Sequence, residues 1–186
     1  MRRLLYVPAI HSATDLGSLA REVQSAYGDA SWDTHEASIA TYWERIGRLL
    51  EDLRLDYSRV KVYHDSIVAG GEAGQRIVRE LAQQGSLDLR LTAALLAKGA
   101  RLMRTEDLEL LLDEYKAVTG GRASVEQQVQ ILEERDRYVA KRISDSLKDG
   151  ETGILIMGAA HRVHHLLPAD IEIQQIVDIQ TRPFGA

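Results

Sequence analysis

The chain contains no cysteine. That excludes disulfides, thiolate nucleophiles and cysteine–zinc centres, and it leaves His, Asp and Glu as the side chains able to hold a metal. No apolar run approaches the roughly 20 residues that a bilayer-spanning helix needs, and the stretch after Met1-Arg2-Arg3 is too short for the apolar core of a secretory signal. The cytoplasm is therefore the expected location, with no membrane partner. No broad basic stripe is present and the formal net charge is −5, which argues against nucleic acid as a partner. No Walker loop, no Gly-x-Gly-x-x-Gly and no Gly-x-Ser-x-Gly elbow occurs, so P-loop hydrolysis, dinucleotide binding and serine-esterase chemistry lose weight.

What remains is ordinary globular composition. Of 186 residues, 45% are hydrophobic and 27% charged, enough for one domain with a sizeable core. Residues 3–10 form a short uninterrupted apolar run, the pattern of a strand buried on both faces. Similar runs at 59–64, 100–104, 154–157 and 171–179 predict four more strands. Helical spacing or helix punctuation marks 13–28, a helix starting at Ser31-Trp32-Asp33 with Ser31 or Asp33 as N-cap, 70–84, 89–98 and 105–115. Ser124-Val125-Glu126-Gln127 is a capping box that opens what is expected to be the longest helix, to about Lys148. Strands alternating with helices predict a single α/β domain over 1–180, with three layers and a mostly parallel sheet of about five strands, helices on both faces, and a tail at 181–186.

In such a sheet, ligands bind outside the carboxyl ends of the strands. His11 follows the first run and His161 follows the fourth, after the small residues Gly158-Ala159-Ala160. The two can therefore face one pocket as metal ligands or acid/base groups. Asp15 is placed to orient His11 or join it as a ligand. Tyr63-His64-Asp65 ends the second strand, and Asp65 is a candidate acid there; the side chains of His64 and Asp65 diverge if the strand continues. Glu106 follows the third strand, although as a first-turn carboxylate beside an N-cap at Thr105 it would simply complement the helix dipole. His161, His164 and His165 fall at i, i+3 and i+4, adjacent if that segment is helical; the competing reading makes His164 and His165 surface residues. Five charges in a row, Glu133 to Arg137, cannot all face solvent on one helix, so Arg135 or Arg137 is a candidate anion clamp. Trp32, Tyr42 and Trp43 read as core or interface.

The strand-end histidines together with Glu134-Arg135-Asp136 resemble the broad TraB/Tiki and erythromycin-esterase/ChaN-like superfamily, whose members pair Gly-x-x-His motifs at strand ends with acidic and arginine residues. Gly158–His161 matches one such motif, while Pro8-Ala9-Ile10-His11 carries proline in place of glycine. The chain is also similar, over Tyr63-His64-Asp65, 99–108, 135–143 and 150–154, to an uncharacterised prokaryotic family. The superfamily includes proposed metalloproteases, esterases and haem binders, so the resemblance implies a site and leaves the substrate open. The resulting expectation is a small-molecule hydrolase, with a divalent metal ion at His11, His161 and Asp15 as one option and His161 acting as base without metal as the other. Asp65, Glu106 and Arg135 complete the candidate set. The alternatives are a non-catalytic protein that binds a small anion or haem, and a homodimer formed through the helix at 124–148.

Overall fold

The computed structural model describes residues 1–10, 29–120 and 124–176. The apolar runs form five strands: β1 (Arg2–Ala9), β2 (Val60–His64), β3 (Arg101–Leu102), β4 (Thr152–Gly158) and β5 (Ile171–Gln175). They build one sheet in the order β3-β2-β4-β1-β5, with every pairing parallel. The register sets Ala9 against Gly158 and His64 against Ile156. The carboxyl ends of β1, β2 and β4 thus share one edge.

The helices are α1 (Asp29–Asp52), α2 (Gly71–Gln84), α3 (Leu87–Ala97), α4 (Leu108–Thr119) and α5 (Val125–Ser146). Alternation along the strands divides the core in two. Leu5, Val7, Val62, Ile154 and Ile156 face α1–α3, meeting Ile39, Trp43, Ile46, Val78 and Leu95. Leu4, Tyr6, Tyr63, Leu155 and Met157 face α5, meeting Val139, Ala140 and Ile143. Burial on both faces is why the central strands read as uninterrupted apolar runs; each fully buried aliphatic side chain contributes about 1.5–3 kcal/mol. α4 packs on α5. The predicted three-layer α/β architecture is therefore what forms.

Local departures have local causes. α1 begins at Asp29, so Ser31 and Asp33 lie within its first turns rather than at its N-cap position; Trp32 is 5% exposed. At 24 residues α1 also exceeds α5, which has 22. The Ser124–Gln127 capping box is present in both directions, with Ser124 Oγ accepting from Gln127 N and Gln127 Oε1 from Ser124 N. The third strand shortens to two residues because the chain then turns: the N–H groups of Thr105 and Glu106 both donate to the Ile67 carbonyl. α4 consequently starts at Leu108, with Asp107 as N-cap accepting from Glu109 N at 3.0 Å. Thr105 is no cap; its hydroxyl accepts from His64 N and donates to Met103 O. The segment after β4 is a turn followed by a single four-residue 3₁₀ helix, Val163–Leu166. His161 precedes it, so the helical spacing expected of His161, His164 and His165 does not occur. The predicted helix at 13–28, the end of the fifth run at 177–179 and the tail at 181–186 lie outside the described residues.

Two aromatic side chains of α1 secure the end of β1. Tyr42 donates its hydroxyl to the Pro8 carbonyl at 2.6 Å, and the indole N–H of Trp43 donates to Ile10 O at 3.1 Å. Both rings are buried in the core, one of the two placements expected of them.

Candidate active site

The carboxyl edge of the sheet gathers side chains from β1, β2, β4, α5 and the turn after β3. Gly158 closes β4, and His161 N donates back to its carbonyl at 3.1 Å. This tight turn directs the His161 ring toward α5. There Asp136 Oδ1 accepts from His161 Nδ1 at 2.6 Å, while Asp136 Oδ2 accepts from the backbone N–H of Arg162 at 2.7 Å. Both residues are buried, His161 at 7% and Asp136 at 4% exposure. Because an ionised carboxylate only accepts, Nδ1 carries the proton in the neutral ring and Nε2 is the basic nitrogen.

Asp65 joins β2 to β4: its N–H donates to Ile156 O and its Oδ2 accepts from Gly158 N, each at 3.0 Å. The His64 ring stays beside it, with Nδ1 3.4 Å from Asp65 Oδ1, and extends toward α3. Its Nδ1 donates to the Asp65 carbonyl at 2.6 Å, and its Nε2 sits 3.6 Å from Asp88 Oδ2, buried and without a hydrogen bond among the described residues. The divergence expected of His64 and Asp65 therefore does not occur: β2 ends at His64, and the turn that follows brings the two side chains together.

Glu106, with no exposed surface, does not lie in a first helical turn. Its carboxylate is gripped by Arg135, whose Nη2 and Nε donate to Oε1 and Oε2 at 2.6 and 3.3 Å. Arg135 also donates through Nη1 to Glu114. Its guanidinium therefore bridges two carboxylates from within α5. Burial pushes the Glu106 carboxyl above its ordinary range, and the Arg135 hydrogen bonds pull it back. Burial would lower Arg135, but its bonds to Glu106 and the nearby Glu114 hold it above its ordinary value. The fork geometry favours the ionised pair.

Glu106 senses the charges of His161 and Asp65. Tyr6, on β1, has its phenol raised first by burial and then by Asp136 and Asp65. Tyr6 and Asp136 are residues to which sequence reasoning assigned no role. Strand alternation could have placed Tyr6 on the α5 side, and the need for an inward-facing member of the charge run could have found Asp136. His164 lies against Tyr6 with ring centroids 5.4 Å apart, and burial followed by the nearby His165 lowers its pKa. His165 is exposed.

His11 and Asp15 lie outside the described residues, so the shared His11–His161 pocket rests here on His161 alone. Among the described residues, no three His, Asp or Glu side chains converge as a metal-binding set. Comparison with protein-family models, with curated proteins and with solved structures yields no match to this chain.

Proposed function

We propose that the chain is a small-molecule hydrolase in which His161, oriented by Asp136, activates water. The observation that carries this reading is the buried 2.6 Å contact between Asp136 Oδ1 and His161 Nδ1, which fixes the ring and reserves Nε2 for chemistry. Nε2 takes a proton from water, the hydroxide oxygen bonds to the scissile carbon or phosphorus, and the imidazolium returns its proton to the leaving group. Asp136 stabilises the imidazolium as it forms. General base catalysis of this kind is worth roughly 10²–10⁴-fold. Asp65 and Glu106 set the field around the ring, and Arg135 holds Glu106 in place. Such a site suits the TraB/Tiki and erythromycin-esterase/ChaN-like relationship, which we include in the proposal along with a cytoplasmic location.

The test is hydrolysis of a panel of chromogenic esters, phosphoesters and amides by wild type and His161→Ala, with and without a chelator. Loss of activity in His161→Ala with chelator-resistant wild type supports the base. Chelator-sensitive wild type assigns Nε2 to a divalent metal instead, with Asp136 orienting a ligand. Wild-type rates in His161→Ala, or no hydrolysis of any class, overturn the reading.

A further inference from the structure

A groove of about 620 Å³ opens between the outer face of α5 and the turn that carries His161. The volume is that of a small-molecule pocket. Its apolar wall comes from Val129 and Leu132 on α5 and from Ala160 and Leu166 on the turn. Val129 and Leu166 are 49% and 48% exposed, so apolar surface at the mouth stands in water. A ligand with an apolar body would cover it.

The charges of the groove are unequal in what they already hold. Glu133 is neutralised by Arg137, one helical turn away at 2.8 Å. Asp136 forms part of the wall, but its two oxygens are engaged by His161 and by the Arg162 backbone. The Arg162 guanidinium is exposed on the same wall and makes no hydrogen bond or ion pair among the described residues. His165 stands beside it as a second donor. The unsatisfied charge of the groove is therefore positive.

We infer that this groove binds a small amphipathic anion, with its apolar body against Val129, Leu132 and Leu166 and its anionic head on Arg162. The ligand would lie against Asp136, the carboxylate that orients His161, so the groove adjoins the reacting ring. The binding assignment stands on the groove alone; naming this ligand class as the substrate class rests on the hydrolase reading.

Octanoate serves as probe, with acetate lacking the body and octanamide lacking the charge, titrated into the full chain by calorimetry. Octanoate is expected to bind at least tenfold more tightly than either control. Arg162→Ala should lose about tenfold or more in octanoate affinity, the scale of a charge-assisted contact, and leave octanamide unchanged. Val129→Asp, at a half-exposed position, should weaken octanoate without unfolding the helix. Equal octanoate affinity in wild type and Arg162→Ala, or no octanoate binding to folded wild type, overturns the assignment. His161-dependent hydrolysis without octanoate binding sinks the groove and spares the hydrolase; octanoate binding without hydrolysis does the reverse.

Discussion

Asp136 and His161 meet through a 2.6 Å contact although 25 positions separate them in the chain. One comes from the middle of α5, the other from the turn that leaves β4. The second oxygen of Asp136 is held by the backbone N–H of the next residue, Arg162. The carboxylate is thus locked to the same turn whose histidine it orients. Rotation of the ring would break a buried charge-assisted contact, and displacement of the turn would break two.

Asp136→Asn separates the orienting role from simple packing. The amide keeps its volume and retains an oxygen for one donor, but it cannot stabilise an imidazolium by charge. Hydrolysis should fall by about 10²-fold or more. The low-field proton signal of the His161 Nδ1–H should shift or vanish in the same variant. An unchanged rate with a fully folded spectrum would show that the contact only packs the turn.

Gly74 marks a close approach of α2 to the rest of the fold. A Cβ there would lie 2.1 Å from the Ala69 carbonyl oxygen and 2.9 Å from a Leu102 methyl. The carbonyl is backbone and cannot swing aside as a side chain would. Gly74→Ala should therefore cost about 1–3 kcal/mol, the range for overpacking, despite the better helix propensity of alanine. Urea titration measures it, and a neutral or stabilised variant would refute the close approach.

His164 gives stability a slope against pH. Its ring faces Tyr6 from β1, His165 from its own turn and the carboxylate of Asp136 from α5. Burial, then His165, lowers its folded pKa below the unfolded value near 6.5, and Asp136 opposes them only in part. In this window the unfolded chain binds the proton more readily. Stability should fall as the pH drops from about 6.5 through the lower folded pKa. His164→Asn should flatten that fall in melting temperature between about pH 7 and pH 5. An equally steep fall in the variant would assign the slope elsewhere.

The two halves of the site differed in how far sequence could show them. His161 and Asp65 were legible because both follow apolar runs, and strand ends define the binding edge of a parallel sheet. The Ser124–Gln127 capping box was legible because it spans only four consecutive residues. Glu106 invited a local explanation, since Thr105, Glu106 and Asp107 all suit a helix start. The choice among them is tertiary: the Thr105 hydroxyl is taken by β2, and Glu106 by Arg135, 29 positions away. Asp136 sat inside a run of five charges, each with equal claim to solvent. Only the helical phase of α5 against the sheet turns Arg135 and Asp136 inward together.

The Glu106–Arg135 pair offers the sharpest test of how the site is held. Both side chains are removed from water, at 0% and 5% exposure, and joined by two hydrogen bonds. Glu106→Leu leaves a buried guanidinium with only the half-exposed Glu114 to balance it. Removing one member of such a pair costs about 3–5 kcal/mol, and Glu114 should bring the loss toward the lower end. Arg135→Met alone strands a carboxylate with no surface, and should cost as much or more. The double variant Glu106→Leu, Arg135→Met removes both charges and should recover much of either loss, because apolar replacements of similar volume are often neutral. Chemical denaturation of the four proteins closes the cycle. Strictly additive losses would mean that the two side chains do not depend on each other. Recovery in the double variant would show that the pair's cost lies in leaving either charge alone, and that Arg135 acts in this site by holding Glu106.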